Sequence, residues 1–138
     1  EILLKEINNH LPEGDFLFPD EDFNFQSTAF EISEIIREKV IRLLGDELPY
    51  ESAVLVDEIK DQKDLVKLIG SIIVAKSSQK TIVIGKKGEK IKSISTAARK
   101  ELENYFGKKV YLELWCKVQN NWTDNSKILD GLGIKKRI

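Results

Sequence analysis

The segment that decides the fold is residues 82–94, which read IVIGKKGEKIKSI. Two glycines, Gly85 and Gly88, flank two lysines immediately before apolar residues at helical spacing. The first N–H groups of a helix have no partners within the helix, and the helix dipole adds partial positive charge there. Glycine also lets another backbone approach closely. The segment therefore predicts a helix start that binds phosphate groups, with Lys86 and Lys87 adding full charges.

The apolar residues around this loop add a second property to the predicted phosphate site. Ile84 precedes the loop, and Ile91 and Ile94 follow it at helical spacing. Bases of a single-stranded nucleic acid can lie on such side chains while a GXXG loop clamps about four nucleotides of the backbone. We therefore predict that these three isoleucines support bases.

A G-x-x-G pattern is common by chance, usually as a turn or a helix cap, so its surroundings decide its meaning. The longer string V-I-G-x-x-G-x-x-I-x-x-I, with lysine at both variable loop positions, resembles the signature of KH domains. A Walker-type phosphate loop needs Gly-Lys-Ser/Thr five residues after its first glycine, and a dinucleotide fingerprint needs G-x-G-x-x-G. Neither spacing occurs at Gly85.

Charge is divided unevenly along the chain. The net charge of −1 combines 5 Lys/Arg and 15 Asp/Glu in residues 1–60 with 17 and 8 in residues 61–138. From residue 76 to residue 100 there are eight basic residues and a single acidic one. A basic block often forms only a solvated face, but its coincidence with the glycine loop favours a phosphate-binding surface. Peripheral phosphate contacts are predicted for Lys80, Lys90, Lys92, Arg99 and Lys100.

Composition excludes several other kinds of site. One cysteine and one histidine are too few for a disulfide framework or a cysteine-based zinc site. Cys116 is predicted to be a buried apolar residue, and His10 a capping or surface residue. No apolar run approaches ~20 residues and no secretory signal opens the chain, so the cytoplasm is the expected compartment. We expect no metal ion and no cofactor in this chain.

Apolar periodicity predicts the order helix, strand, strand, short helix, GXXG loop, helix, strand. An amphipathic helix at 1–11 leads into a connector at 12–26, whose four phenylalanines are expected to pin it to a neighbouring surface. The elements that follow are a helix at 28–44, strands at 52–60 and 66–76, helices at 78–84 and 88–106, a strand at 109–118 and a closing helix at 123–132. This order predicts an α/β (α+β) sandwich with a three-stranded sheet and helices on one face.

The long helix and the last strand show which residues face the core. The inward residues of the helix are predicted to be Ile91, Ile94, Ala98, Leu102 and Tyr105, and those of the strand Val110, Leu112, Leu114, Cys116 and Val118. Tyr111 and Trp115 share the other face of the strand, because successive side chains alternate. We expect these two aromatic residues to pack against the C-terminal tail.

Further segments carry a more specific resemblance. They read EIIREK at 34–39, ELPY at 47–50, SQK at 78–80, ARK at 98–100 and LELWCKV at 112–118. With the loop, they resemble the C-terminal part of the Era family of bacterial GTPases over residues 11–134.

That resemblance implies both an architecture and a function. It implies a type II KH domain of order α-β-β-α-α-β at 27–120. The last helix of a GTPase domain and a connector would precede it at 1–26, and a helical tail would follow at 121–138. It further implies binding to the single-stranded 3′ end of small-subunit (16S) ribosomal RNA during assembly of the 30S subunit.

The GTP-binding motifs of the family are missing from the sequence. It has no phosphate loop and no Asn-Lys-x-Asp segment. The chain is therefore expected to be a non-enzymatic fragment, whose parent would bind GTP and magnesium in an N-terminal GTPase domain. Peripheral contact with the inner membrane stays open.

Two other functions compete with RNA binding. The chain would be a protein-interaction module if its acidic first half were the working surface and the loop only a helix cap. It would be a small enzyme acting on a phosphorylated substrate if it had a paired acid and base or an activated nucleophile, and the sequence shows neither.

Overall fold

The computed structural model describes residues 1–15, 28–45 and 52–132. Its helices are α1 (Ile2–His10), α2 (Thr28–Leu44), α3 (Ser77–Ile84), α4 (Glu89–Phe106) and α5 (Ser126–Gly131), and its strands are β1 (Ser52–Asp61), β2 (Leu65–Val74) and β3 (Lys109–Val118). Short 3₁₀ turns at Lys86–Gly88 and Trp122–Asp124 precede α4 and α5. The predicted order of elements is confirmed. The four connector phenylalanines lie outside the described residues.

The three strands form one sheet in the order β1-β2-β3. β1 runs antiparallel to β2, with a bulge between Val56 and Glu58, and β2 runs parallel to β3. Parallel neighbours need a crossover connection, because the chain must return to the same end of the sheet. Here α3, the glycine loop and α4 form that crossover. Along the chain, the loop therefore lies between two strands that pair directly in the sheet.

The core lies between the sheet and helices α2, α3 and α4. Its fully or almost fully buried residues are Ile32, Ile36 and Val40 of α2, Val54 of β1, Val66, Leu68, Ile72 and Val74 of β2, Val83 of α3, and Ile94, Ala98 and Leu102 of α4. Gly70 leaves room for a side chain of the neighbouring strand, since a Cβ there would lie 3.0 Å from Cδ2 of Leu114 on β3. This arrangement confirms the predicted sheet with helices on one face.

Tyr105 departs from the predicted inward face. It is 45% exposed, and its hydroxyl donates a hydrogen bond to the carboxylate of Glu31 on α2. The phenol lies in the last turn of α4 and extends from the core towards solvent. Tyr105 therefore joins α2 and α4 at their rim instead of filling the core.

The tail also departs from prediction. Tyr111 and Trp115 are 53% and 55% exposed, and α5 contacts β1 at the opposite edge of the sheet. A Cβ on Gly131 would lie 3.0 Å from Cδ2 of Leu55, which shows how closely α5 approaches β1. The prediction that the tail covers the two aromatic residues is wrong for its described part, which ends at residue 132.

α1 is exposed along its whole length. It contains no buried residue, and the side chains of Ile2, Leu3 and Leu4 are at least 70% exposed. His10 lies near its end with Nδ1 2.8 Å from the carbonyl oxygen of Glu6, consistent with the predicted surface or capping role. No helix in the described ranges is both long and apolar enough to cross a membrane.

Candidate nucleic-acid interface

Gly85 ends α3 in a backbone conformation that suits glycine. Its N–H donates to the carbonyl oxygen of Thr81 at 2.9 Å, and its φ and ψ are 71° and 179°, a region that is essentially restricted to glycine. A Cβ here would lie 2.7 Å from Cγ of Lys90 and 3.1 Å from its amide nitrogen. The loop is therefore tight at this position.

The next residues turn the chain directly into α4. Lys87 has φ 53° and Gly88 has φ 78°, both in the left-handed region. The N–H of Gly88 donates to the carbonyl oxygen of Gly85 at 3.2 Å, and the N–H of Glu89 donates to Lys86. Lys86 and Lys87 are both exposed. The predicted glycine-flanked lysine pair that opens a helix is thus present.

The start of α4 is open on the side of Gly88. This residue is the N-cap and has no side chain to accept hydrogen bonds from the first amides of the helix. A Cβ built on Gly88 would meet no atom within 4 Å. Because the position is open and lies at the positive end of an 18-residue helix, a phosphate group can approach it.

A groove of about 290 Å³ runs between α4 and β3. Its lining residues are Ile91, Lys92, Ser95 and Thr96 of α4, and Leu112, Glu113 and Leu114 of β3. β3 is an edge strand of the sheet, so one side of its backbone has no strand partner within the described ranges. An unpaired strand edge presents N–H and C=O groups for hydrogen bonding. The groove therefore combines an apolar floor with polar groups at its rim.

The structure brings together one part of the predicted site. Residues 85–88 form the loop, and Ile91 and Lys92 follow it into the groove. Ile84 is half-buried at the end of α3 and packs against the core. Lys90 is exposed, and the start of its side chain lies against Gly85.

Ile94 requires a correction. Its side chain is 0% exposed, so it belongs to the core and offers no surface to a base. Ile94 follows Ile91 by three residues, which rotates it by about 60° around the helix axis. That rotation turns Ile94 away from the groove and towards the sheet.

The peripheral basic residues do not form one surface. Arg99 lies two turns beyond Lys92 on the same side of α4, and its guanidinium donates to Glu103 at 3.1 Å, which offsets its charge. Lys100 instead lines a cleft between α2 and α4 that also contains Lys39 and Glu101. The structure therefore does not bring Lys100 to the groove.

Lys80 lies on α3 near the end of β3. Burial raises the pKa of the Cys116 thiol, and the nearby charge of Lys80 offsets part of that effect. Cys116 is buried and free, which confirms its predicted apolar role.

Among the described residues, no group of three or more His, Cys, Asp or Glu side chains is placed to hold a metal ion.

The sequence missed the second wall of the groove. Leu112 and Leu114 alternate as core residues do, and they are half-buried against the core while also lining the groove. Ser95 joins the two walls, since its hydroxyl donates to the carbonyl oxygen of Leu112 at 3.4 Å. The order helix-loop-helix-strand could have identified this wall. When a crossover ends in an edge strand, its last helix packs beside that strand, and here that helix is α4.

Comparison with protein families agrees with this geometry. The protein-family model described as "KH domain" matches residues 47–123. This match covers more than half of the chain and includes the loop, α4 and β3. The chain belongs to the KH domain family. The prediction of a KH domain, which came from the resemblance of the loop to the KH signature, is confirmed.

Curated relatives and solved structures match nearly all of this KH-containing chain. "GTPase Era" of Coxiella burnetii (strain Dugway 5J108-111) is 45% identical over 134 residues, which are 97% of this chain and 45% of the relative. "GTPase Era" of Pseudomonas putida (strain F1) is 43% identical over 133 residues, 96% of this chain and 44% of the relative. The chain thus spans less than half the length of these relatives.

Two crystal structures share the fold at 38% identity, each over 96% of this chain and 45% of the other. One is Aquifex aeolicus Era bound to GDP and AlF4⁻, with a TM-score of 0.79. The other is Era in complex with MgGDPNP and nucleotides 1506–1542 of 16S ribosomal RNA, with a TM-score of 0.80. The KH domain described here is therefore similar to part of Era.

Proposed function

We propose that this KH domain binds single-stranded RNA, and that its target is the 3′ end of 16S ribosomal RNA in the assembling 30S subunit. The observation that carries the proposal is the position of Lys86 and Lys87. They are exposed on the glycine loop that precedes α4, and Ile91 and Lys92, which follow this loop in α4, line the groove between α4 and β3. A charged loop beside an apolar groove fits a chain of phosphates with bases on one side.

The loop and the groove have different tasks. The loop and the start of α4 hold the phosphates, because the positive end of the helix dipole and the two exposed lysines lie there. Ile91, Leu112 and Leu114 contact the faces of the bases. Ser95, Thr96 and the free edge of β3 form hydrogen bonds to the edges of the bases, which gives the site a sequence preference.

The identity of the RNA rests on similarity. The solved Era complex contains nucleotides 1506–1542 of 16S ribosomal RNA, and its protein is 38% identical to this chain over 96% of it. That similarity supports the same class of RNA here and a role in ribosome biogenesis. Such a role places the protein in the cytoplasm.

We assign no catalytic activity to this chain. We assign the binding of GTP and magnesium to a domain outside it. The residues present do not fit a nucleotide, since the sequence has no phosphate loop. Within the described ranges, no cluster of carboxylates is placed for a metal ion. The relatives are more than twice as long as their matched part, which leaves room for a GTPase domain.

We propose the domain boundaries that the resemblance to Era implies. Residues 1–26 are the last helix of the GTPase domain and the connector, residues 27–120 the KH domain, and residues 121–138 the tail. The exposed apolar side chains of α1, among them Ile2, Leu3 and Leu4, support this division. An amphipathic helix with no buried residue gains stability by packing against another domain.

The test is a charge reversal in the loop. Lys86→Asp with Lys87→Asp is expected to weaken binding of a labelled RNA with the 3′ 16S sequence by at least ~100-fold, measured by fluorescence anisotropy, because both phosphate contacts become repulsive. The matched control is Lys63→Asp with Lys127→Asp, two exposed lysines outside the groove lining that change the net charge equally. Thermal unfolding of both variants should match the parent protein. Equal affinity of the loop variant and the control would refute the proposal.

A further inference from the structure

The outer face of β3 carries two exposed aromatic rings. Tyr111 and Trp115 are each more than half exposed. They lie four residues apart on one strand, so both side chains point to the same face, about 13 Å apart along the strand. This face is opposite to the one on which Leu112 and Leu114 meet the groove and the core.

Two lysines lie beside these rings. Lys67 of β2 is paired with Tyr111 in the sheet register, and Lys117 follows Trp115 on the same face of β3. Both lysines are exposed. Lys117 contacts the carboxylate of Asp57 at 3.4 Å, and Glu113 lies half-buried between the two rings. Lysines beside exposed rings form a surface that complements a nucleic acid strand.

The aromatic face is continuous with the groove. β3 is the edge strand, and it contributes one wall of the groove as well as both rings. The described part of the tail does not separate the two surfaces, because α5 contacts β1. A strand that leaves the groove over the free edge of β3 therefore reaches Tyr111 and Trp115 directly.

We propose that the outer face of β3 is a second stacking surface for single-stranded RNA that extends beyond the groove. The rings of Tyr111 and Trp115 each stack on one exposed base of the strand, and Lys67 and Lys117 contact the phosphates. Stacking on aromatic side chains tolerates every base, so this surface adds affinity with little sequence preference. The proposal rests on the proposed function, since the groove is what brings the RNA to this edge.

The experiment compares RNA lengths. An RNA of about four nucleotides fills the loop and groove alone, whereas one of roughly 12 nucleotides also reaches the outer face. Tyr111→Ala with Trp115→Ala is expected to weaken binding of the longer RNA by about tenfold or more, since each lost ring removes a stacked base. Binding of the short RNA should stay within about twofold of the parent.

Two control variants separate the possible failures. Tyr111→Phe with Trp115→Phe keeps both rings and should keep the affinity for the longer RNA. Lys86→Asp with Lys87→Asp should lose both RNAs. If the alanine variant binds the longer RNA as the parent does, the second surface is refuted even though the groove still binds. That result is also expected if a protein, or residues 133–138, occupied this face. If the loop variant keeps both RNAs, the proposed function itself fails.

Tryptophan fluorescence gives an independent readout. The sequence contains two tryptophans, so Trp122→Phe leaves Trp115 as the only one. Stacking predicts that the longer RNA quenches this emission and that the short RNA does not. Equal quenching by both, or by neither, would overturn the assignment of Trp115 to a base.

Discussion

Gly85 and Lys90 are packed against each other across the loop that joins α3 to α4. A side chain on Gly85 would need the space taken by Cβ and Cγ of Lys90, which would lie 2.9 and 2.7 Å from its first carbon. The lysine whose charge adjoins the phosphate site thus also fixes the shape of the loop. The close contact explains why a glycine is needed here in addition to the positive φ.

We predict that Gly85→Ala is more damaging than Gly107→Ala. Gly107 ends α4 with a similar φ of 66°, but nothing lies within 4 Å of its Cβ position. Its replacement should cost about 1 kcal/mol from left-handed strain, measured by urea unfolding. Gly85→Ala should cost at least ~1–3 kcal/mol more, because strain and collision combine, and it alone should weaken RNA binding. Equal costs at the two positions would contradict this account of the loop.

Ile91 and Ile94 should separate binding from stability. Ile94 is fully buried, so Ile94→Ala is expected to lower the free energy of unfolding by about 2–5 kcal/mol. Ile91 is partly exposed at the groove, so Ile91→Ala should cost less stability but weaken RNA binding. Urea unfolding and anisotropy on both variants provide the measurements. A variant of Ile91 that binds RNA with unchanged affinity would remove this residue from the interface.

Salt dependence distinguishes phosphate recognition from a protein-interaction module. For a single-stranded target, the logarithm of affinity should fall against the logarithm of salt concentration with a slope of about −0.7 for each neutralised phosphate. The slope should be shallower in the Lys86→Asp, Lys87→Asp variant, because fewer counterions are released. An RNA affinity that does not change with salt would instead favour the acidic half of the chain as the working surface.

Cys116 should make stability depend on alkaline pH. Burial raises the pKa of its thiol in the folded protein, whereas an unfolded thiol ionises near pH 8.5. The contribution of this thiol to the free energy of unfolding is therefore complete below about pH 8.5. It decreases at higher pH, because the thiol then ionises in the unfolded chain before it ionises in the folded one. Cys116→Ala should reduce the loss of unfolding free energy between neutral and alkaline pH. Lys39 and Tyr105 also have raised pKa values. They are present in both the parent protein and the Cys116→Ala variant, so the difference between the two reports Cys116. An identical pH dependence would refute the assignment.

Most of the fold could be predicted from the sequence, because its helices and strands have strong and distinct periods. The alternation at 109–118 gave β3 its bounds, and Gly107 marked the end of α4. Helix period alone could not separate Ile91 from Ile94, since both lie on the apolar side and only the angle between α4 and the sheet decides which one is covered.

The site was predicted less completely for the same reason. The loop and its lysines are consecutive in the chain, so a short motif identified them. The role of Leu112 and Leu114 in the groove depends on which strand forms the edge of the sheet. The position of Lys100 away from the groove depends on where α2 packs. The position of the tail likewise depends on the contact between α5 and β1, which no local pattern encodes.

The parallel pairing of β2 with β3 has a consequence for protein synthesis. While the ribosome is still making β3, a nascent chain already contains the glycine loop and α4 but has no second wall for its groove. The binding surface is completed only when residue 118 has left the exit tunnel and β3 has paired with β2. On the proposed function, an unfinished copy of the protein therefore lacks the groove in which the bases of the RNA bind.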